Sequence, residues 1–427
     1  MKIHFIGIGG MGLSALALWS QSMGYEVTGS DLSDGPMIKV LKDEGIKIKI
    51  GKNEILDHPD LVVVSSAIPK DEMIAFSKNG IKIVERMDFI ISNIHPLIGV
   101  SGTDGKSSTT LMSEWIALKN GLDTSMICGA IPLGFSNGTF RAGQGGIVLE
   151  VDESDPKIEN ISSQVAILTN LRYDHLDRYK DDPDEQLRII KRFLNNAKYT
   201  VTPADFDFNS SMKFGKGGDI EYEKIDSNFK LQRFLVKYNG KRSTVSLPIA
   251  GIHQICNATA AIAGGLILGF SLEDCSNALS DYPGLRRRLE ILYGGKSSVV
   301  DDYAHTPDEV RGALESVRPY FKNIVAIFEP HRYTRYARYE KEFSNVLSIA
   351  DQVYVTDIFG AFEDERNVGP KDLVSDINLK GKVAHSVRIE NVVDELSKAP
   401  QADLYLFMGA GNITYKAHEF AEVVRNW

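Results

Sequence analysis

The run Gly102-Thr103-Asp104-Gly105-Lys106-Ser107-Ser108 holds the residue types that bind a polyphosphate. Lys106 offers a cation to β- and γ-phosphate oxygens, and Ser107 offers a hydroxyl to Mg2+. The backbone N–H groups of Asp104 to Ser107 are expected to cradle the phosphate oxygens. The first glycine of G-x-x-x-x-G-K-[ST] falls at Val100, so the match is incomplete. A strand before the loop and a helix after it favour ATP over a plain glycine turn. A second loop, Gly7-Ile8-Gly9-Gly10-Met11-Gly12, fits G-x-G-x-x-G. Its glycines let a diphosphate approach the N–H groups at a helix start. Asp31 stands where an acid meets a ribose hydroxyl. Alone, this loop suggests NAD, or simply tight helix–sheet packing.

Further candidates also follow strands. Glu150-Val151-Asp152-Glu153-Ser154-Asp155 puts four acids in six residues after an apolar run. Burying them unpaired is costly, and Mg2+ takes carboxylate oxygen. An acidic surface turn is the plain alternative. His175, in Asn170 to Asp177, offers a metal ligand or a phosphate contact. Asp301 to Pro307 and Glu329 to Arg335 occupy the same kind of position. There Arg332 and Arg335, beside His331, suit a bidentate clamp on a carboxylate or phosphate, or else a solvated basic face.

These loops need rigid strands behind them. Short apolar runs alternate with helical patterns at Ile3–Gly7, Glu26–Asp31, Ile46–Ile50, Leu61–Ser65 and Ile81–Val84. That alternation predicts a parallel sheet. A second series begins at Leu97–Val100, continues through a helix from Thr109 to Leu118, and turns β-rich over 200–248. A third opens at Ser298 and ends in a helix through Trp427. The expected architecture is three α/β domains over 1–95, 96–283 and 284–427. The first and last are Rossmann-like and the middle one is P-loop ATPase-like.

A chain of 427 residues exceeds one ordinary core. Its formal charge of −9 argues against a nucleic-acid surface. Cys128, Cys256 and Cys275 form no C-x-x-C pair, so no disulfide framework is expected. No apolar run reaches the length of a membrane span. A cytoplasmic setting is expected, with no membrane partner.

Taken together, in order and spacing, these motifs resemble the Mur ligases over essentially the whole chain. The resemblance rests on the two glycine loops, Glu150 to Asp155, Asp174-His175, Gly251 with His253 and Asn257, Arg286 to Arg288, Asp301 to Pro307, Pro330 to Arg335, and Gly409 to Ile413. It implies an ATP- and Mg2+-dependent ligase that activates a UDP-linked carboxylate as an acyl phosphate and joins it to a free amino acid. The Gly7–Gly12 loop then holds UDP rather than NAD, with Gly7, Gly9, Gly10, Met11, Gly12, Asp31, Ser65, Ser66 and Ala67 as its contacts. ATP falls to Gly102 through Ser108, His253, Asn257, Arg287, Asp302 and His305. Metal ligands are Ser107, Glu150 and His175, and amino-acid contacts are Tyr303, His331, Arg332 and Arg335. Lys106, His175, His331, Arg332 and Arg335 carry the chemistry. A monomer or weak homodimer is expected.

Within the family the pattern is nearest to the muramate–alanine type, acting on UDP-N-acetylmuramate. Lys52, Pro156-Lys157-Ile158, Thr306 and Gln254 depart from that type, and the stretch Cys128–Gly146 is short. These departures keep a second substrate in view, a pseudomurein precursor of an archaeal peptide ligase.

Overall fold

The computed structural model describes the whole chain except Ser66, Ala67, Pro69, Lys78, Asn79, Tyr173, Asp174, His175, Lys180, Phe362, Glu365 and Asn367. The expected contacts Ser66, Ala67 and His175 therefore lie outside the described residues. Three sheets form, distributed over two compact units. Unit one comprises Met1–Asp226, Arg233–Pro248 and Gln254–Pro283. Unit two comprises Ser227–Gln232, Ile249–His253 and Gly284–Trp427. No helix among the described residues is long and apolar enough to cross a membrane.

The first sheet contains β1 (Lys2–Ile6), β2 (Glu26–Asp31), β3 (Lys47–Ile50), β4 (Leu61–Val64) and β5 (Lys82–Glu85). Its order is β3-β2-β1-β4-β5, all parallel. The chain switches sides at β1, so the Gly7–Gly12 loop opens at the crevice where such sheets bind ligands.

The second sheet, in the same unit, has ten strands. They are β6 (Ile98–Ser101), β7 (Ser125–Ile127), β8 (Phe140–Arg141), β9 (Ile147–Glu150), β10 (Val165–Leu168), β11 (Tyr199–Pro203), β12 (Met212–Phe214), β13 (Ile220–Ser227), β14 (Gln232–Tyr238) and β15 (Lys241–Leu247). β6 lies between β10 and β9, parallel to both. Asn239 and Gly240, both at positive φ, turn β14 into β15. Asn-Gly suits such a hairpin because both positions need left-handed backbone.

One apolar cluster joins these two sheets. Phe89, fully buried, meets Phe5 and Trp19 edge-on at 6.0 and 6.1 Å, and the same cluster runs on to Ile127, Phe140 and Ile147. Truncating such a side chain costs about 3–5 kcal/mol.

The second unit holds β16 (Glu290–Gly294), β17 (Ser298–Asp302), β18 (Ile324–Phe328), β19 (Gln352–Val355), β20 (Val383–Ser386) and β21 (Leu404–Met408). The order is β16-β17-β21-β18-β19-β20, parallel except for β16. Every residue of β17, β18 and β21 is buried, as expected of a sheet covered on both faces.

Candidate active site

The phosphate loop leaves β6 and enters the helix Lys106–Lys119. That helix begins three residues before the expected Thr109, because Gly105 takes the left-handed N-cap conformation at φ 78°. Gly102, at φ 133°, passes so close to β10 that an added Cβ would lie 2.7 Å from the Asn170 carbonyl oxygen. An added Cβ on Gly105 would collide with Asn257. Both glycines are therefore required by space as well as by φ.

The expected cradle needs correcting at one end. Asp104 N–H donates to Asn170 Oδ1 at 3.0 Å, and Thr103 N–H donates to the Asn170 carbonyl at 3.3 Å. These groups hold the loop to β10 and do not face a ligand. The first helical turn, Lys106 to Ser108, keeps its N–H groups without intrahelical acceptors. The anion-binding end thus moves forward along the chain, where the helix dipole also acts. Thr103 Oγ1 and Asp104 are tied further to the Arg172 segment.

Lys106 Nζ donates to the carbonyls of Gly102 and Thr103 at 2.8 and 3.0 Å, and meets Glu153 Oε2 at 2.6 Å. Burial alone would lower its pKa, but Glu153, Asp152 and Glu150 together raise it, so it stays charged. Burial pushes Glu153 up to about 7 against the pull of Lys106. Half-buried Asp152 behaves oppositely. Burial would raise it, yet Arg86 and Lys106 hold it near about 2. Glu150, at the end of β9, accepts from Gly129 N–H at 2.6 Å. Ser107 and Ser108 are buried at the helix start. The hydroxyl of Ser107 and the carboxylates around Lys106 form an oxygen donor set, the kind hard Mg2+ takes. The residues present therefore fit that ion.

In the first glycine loop, Gly7 and Ile8 N–H both donate to the Ser30 carbonyl, at 2.8 and 3.2 Å. Gly9 N–H donates to Asp31 Oδ2 at 2.8 Å, and Gly10 N–H to the Gly7 carbonyl at 3.1 Å. Asp31, expected at a ribose, here fixes the loop with one oxygen and accepts Ser33 N–H with the other. Gly7 packs on Ser65 at the end of β4, where an added Cβ would lie 3.0 Å from the serine Cβ. The N–H groups left for an anion belong to Met11, Gly12 and Leu13, the first turn of the helix Met11–Ser22.

In the second unit, three motifs gather on the adjacent strands β17, β21 and β18. Asp302 accepts Leu289 and Ala304 N–H groups, both at 2.8 Å, and burial raises it to about 6. Its carboxylate shapes the turn that carries Tyr303 and His305. His305 Nδ1 lies 3.0 Å from the Tyr303 carbonyl and 3.2 Å from Glu309. Arg287 stacks on Tyr303, 4.9 Å from the ring centre, and reaches the Gly409 carbonyl. His305 meets His331 edge-on at 5.5 Å, and His331 stacks on Phe359. Burial, with His305, Arg335 and Arg332 nearby, lowers His331 to about 3. It is therefore neutral at pH 7, and Nδ1 accepts from Arg335 Nη1 at 2.9 Å. Arg332 sits at φ 66°, a strained conformation of the kind concentrated at functional sites. Its Nε donates to Glu363 at 2.8 Å. His253 lies 3.5 Å from Ser316 Oγ within this unit. Asn257 belongs to unit one, where it packs on the phosphate loop of the same unit.

Sequence reasoning took the whole run Glu150–Asp155 as a candidate metal cluster but gave an individual ligand role to Glu150 alone, not to Asp152 or Glu153. It missed Arg86, Asn170, Glu309 and Glu363. Glu309 had a local signal, since Thr306-Pro307-Asp308-Glu309 is a capping box, and the box forms. The others pair across long sequence separations and carry no local signal.

The chain matches three family descriptions: "Mur ligase family, catalytic domain" over 2–94, "Mur ligase middle domain" over 100–265, and "Mur ligase, glutamate ligase domain" over 287–411. It is 34% identical to the UDP-N-acetylmuramate–L-alanine ligase of Pseudothermotoga lettingae, over 99% of each chain. The crystal structure of UDP-N-acetylmuramate-alanine ligase MurC from Thermotoga maritima superposes with a TM-score of 0.89 at 30% identity, covering 100% of this chain and 99% of that one. A pseudomurein peptide ligase type C from Methanothermus fervidus shares the fold, with a TM-score of 0.62 at 19% identity over 99% of both chains. The chain belongs to the Mur ligase family, the ATP-dependent ligases that form carbon–nitrogen bonds.

Proposed function

We propose that this protein joins L-alanine to the carboxylate of UDP-N-acetylmuramate, consuming ATP. The observation that carries this reading is the 34% identity, across 99% of both chains, with a ligase of that name. Sharing only its fold with the pseudomurein ligase, the chain gives that alternative less support.

In this reading the Met11–Leu13 amides hold the UDP diphosphate, with Gly7, Gly9, Gly10, Asp31 and Ser65 shaping the loop. The Lys106–Ser108 turn holds the ATP phosphates. The substrate carboxylate oxygen attacks the γ-phosphorus, the bond to ADP breaks, and an acyl phosphate results. Lys106 turns from Glu153 to neutralise the charge that builds on the transferring oxygens. Ser107, Glu150 and His175 would hold Mg2+, which supplies further charge neutralisation there. The alanine nitrogen then attacks the acyl carbon, and phosphate leaves. Arg332 and Arg335, with Tyr303, receive the alanine carboxylate, which takes the place Glu363 holds on Arg332. His331, neutral, keeps Arg335 aimed by accepting its hydrogen bond. ATP and UDP-linked substrates place the work in the cytoplasm.

Phosphate release is the direct test. It should need ATP, UDP-N-acetylmuramate and L-alanine together. Equal release with another UDP-linked acceptor in place of the muramate would overturn the substrate assignment.

A further inference from the structure

Three adjacent parallel strands end around the first glycine loop, with Gly7 following β1, Ser65 following β4 and Arg86 following β5. Arg86 opens the helix Arg86–Asn93, and its side chain is 20% exposed. A Cβ added to Gly12 would lie 2.7 Å from Arg86 Nη1, so the guanidinium lies against the first turn of Met11–Ser22. Nη2 meets Asp152 Oδ2 at 3.1 Å, and Nε is buried with no hydrogen-bond partner among the described residues. A cation against the positive end of a helix is unfavourable unless an anion joins it. Asp152 balances the Nη2 side of the guanidinium, while Nη1 lies toward Gly12 in the first turn of that helix.

We propose that Arg86 is a ligand of the substrate's diphosphate, completing the anion site that the Met11–Leu13 amides begin. This rests on the reading of the Gly7–Gly12 loop as a UDP site. Gly12 then has a specific duty: the missing side chain admits the guanidinium. The tether has a consequence of its own. Asp152 belongs to the acidic run that also holds Lys106 through Glu153. Beside it, Lys157 Nζ meets Glu85 at 2.6 Å and Asp88 at 2.7 Å. The segment Glu85–Asp88 is thus clasped by charge to the sheet that carries the phosphate loop. A diphosphate held by Arg86 is placed at a fixed register from the ATP phosphates, which the reaction requires.

Calorimetry of the full chain with UDP, with uridine and with ATP tests this. Arg86→Ala should weaken UDP binding roughly tenfold to a hundredfold, the usual effect of losing a charge-assisted contact. Uridine should change less than twofold, and ATP not at all, which also checks folding. Arg86→Lys should recover part of the loss. Gly12→Ala should weaken UDP similarly, and adding it to Arg86→Ala should cost little more, because both remove one contact. Unchanged UDP affinity in Arg86→Ala, or equal losses for UDP and uridine, would overturn the assignment. If the wild-type protein binds ATP but not UDP, the loop reading itself fails and the assignment with it.

Discussion

The two glycine loops differ in where each finds its cation. The loop after β6 carries Lys106 within its own motif, and the acid that pairs with it comes from the next strand of the same sheet. The loop after β1 carries no cation. Arg86 reaches it from β5, and the acid that tethers Arg86 belongs to the other sheet, 66 residues further on. One loop is nearly self-contained and the other is assembled by tertiary structure. That difference decides how each fails.

The largest failure belongs to Lys106. Lys106→Ala should cut phosphate release by a hundredfold to a thousandfold, roughly the loss of one preorganised charge contact. UDP binding by calorimetry should stay within twofold. Parallel loss of both would mean the two loops are not separate sites.

Glycine substitutions come next, and they separate the loops by kind. An alanine at Gly102 meets backbone, the Asn170 carbonyl, at a φ of 133° that L-residues rarely adopt. It should cost about 2–4 kcal/mol of folding stability in denaturant titrations. An alanine at Gly12 meets only the far end of Arg86. It should leave the denaturation midpoint nearly unchanged while lowering UDP affinity. A Gly12→Ala chain as unstable as Gly102→Ala would show that Gly12 serves packing and not the arginine.

The same contrast explains what was legible in the sequence. The Gly102–Ser108 loop was readable because its glycines, lysine and serine are consecutive. Its boundary was not, since Gly105 caps the helix so that it starts at Lys106, three residues before the expected Thr109. The N–H of Asp104 was misjudged because Asn170 claims it from 66 residues away. The parallel strands were legible from alternation with helices, and β17, β18 and β21 from unbroken apolar runs. Arg86 and Lys157 were not, because nothing within several residues of either shows a partner. Lys157 stood out only as a departure from the family pattern. Its meaning, a bond to Glu85 and Asp88, exists only after two sheets pack.

Acids beside the two cations sharpen the comparison by pH. Burial raises Glu153 to about 7, so the folded state favours its protonated form. That contribution is complete below the unfolded value of about 4.5 and is lost as pH rises through 7. Asp152 is held near about 2, so its contribution is present above the unfolded value and is lost only as pH falls toward 2. Between pH 5 and 8 the stability difference between wild type and Glu153→Gln should slope against wild type, by up to about 3 kcal/mol. The difference for Asp152→Asn should stay flat. Equal slopes would mean that Lys106 and Arg86 treat their acids alike.

The smallest effect tests the clasp. Lys157 and its partners are each about 40% exposed, so solvent screens the pairs. Lys157→Met should cost no more than about 1 kcal/mol of stability. Its effect on function should be selective. UDP and ATP should each bind separately as in wild type, because neither loop loses a group. Turnover with both substrates should fall about twofold to fivefold, since the two phosphate sites then hold their register less tightly. A variant with unchanged turnover would leave packing between the two sheets, around Phe89 and Phe140, as what sets the distance between the loops.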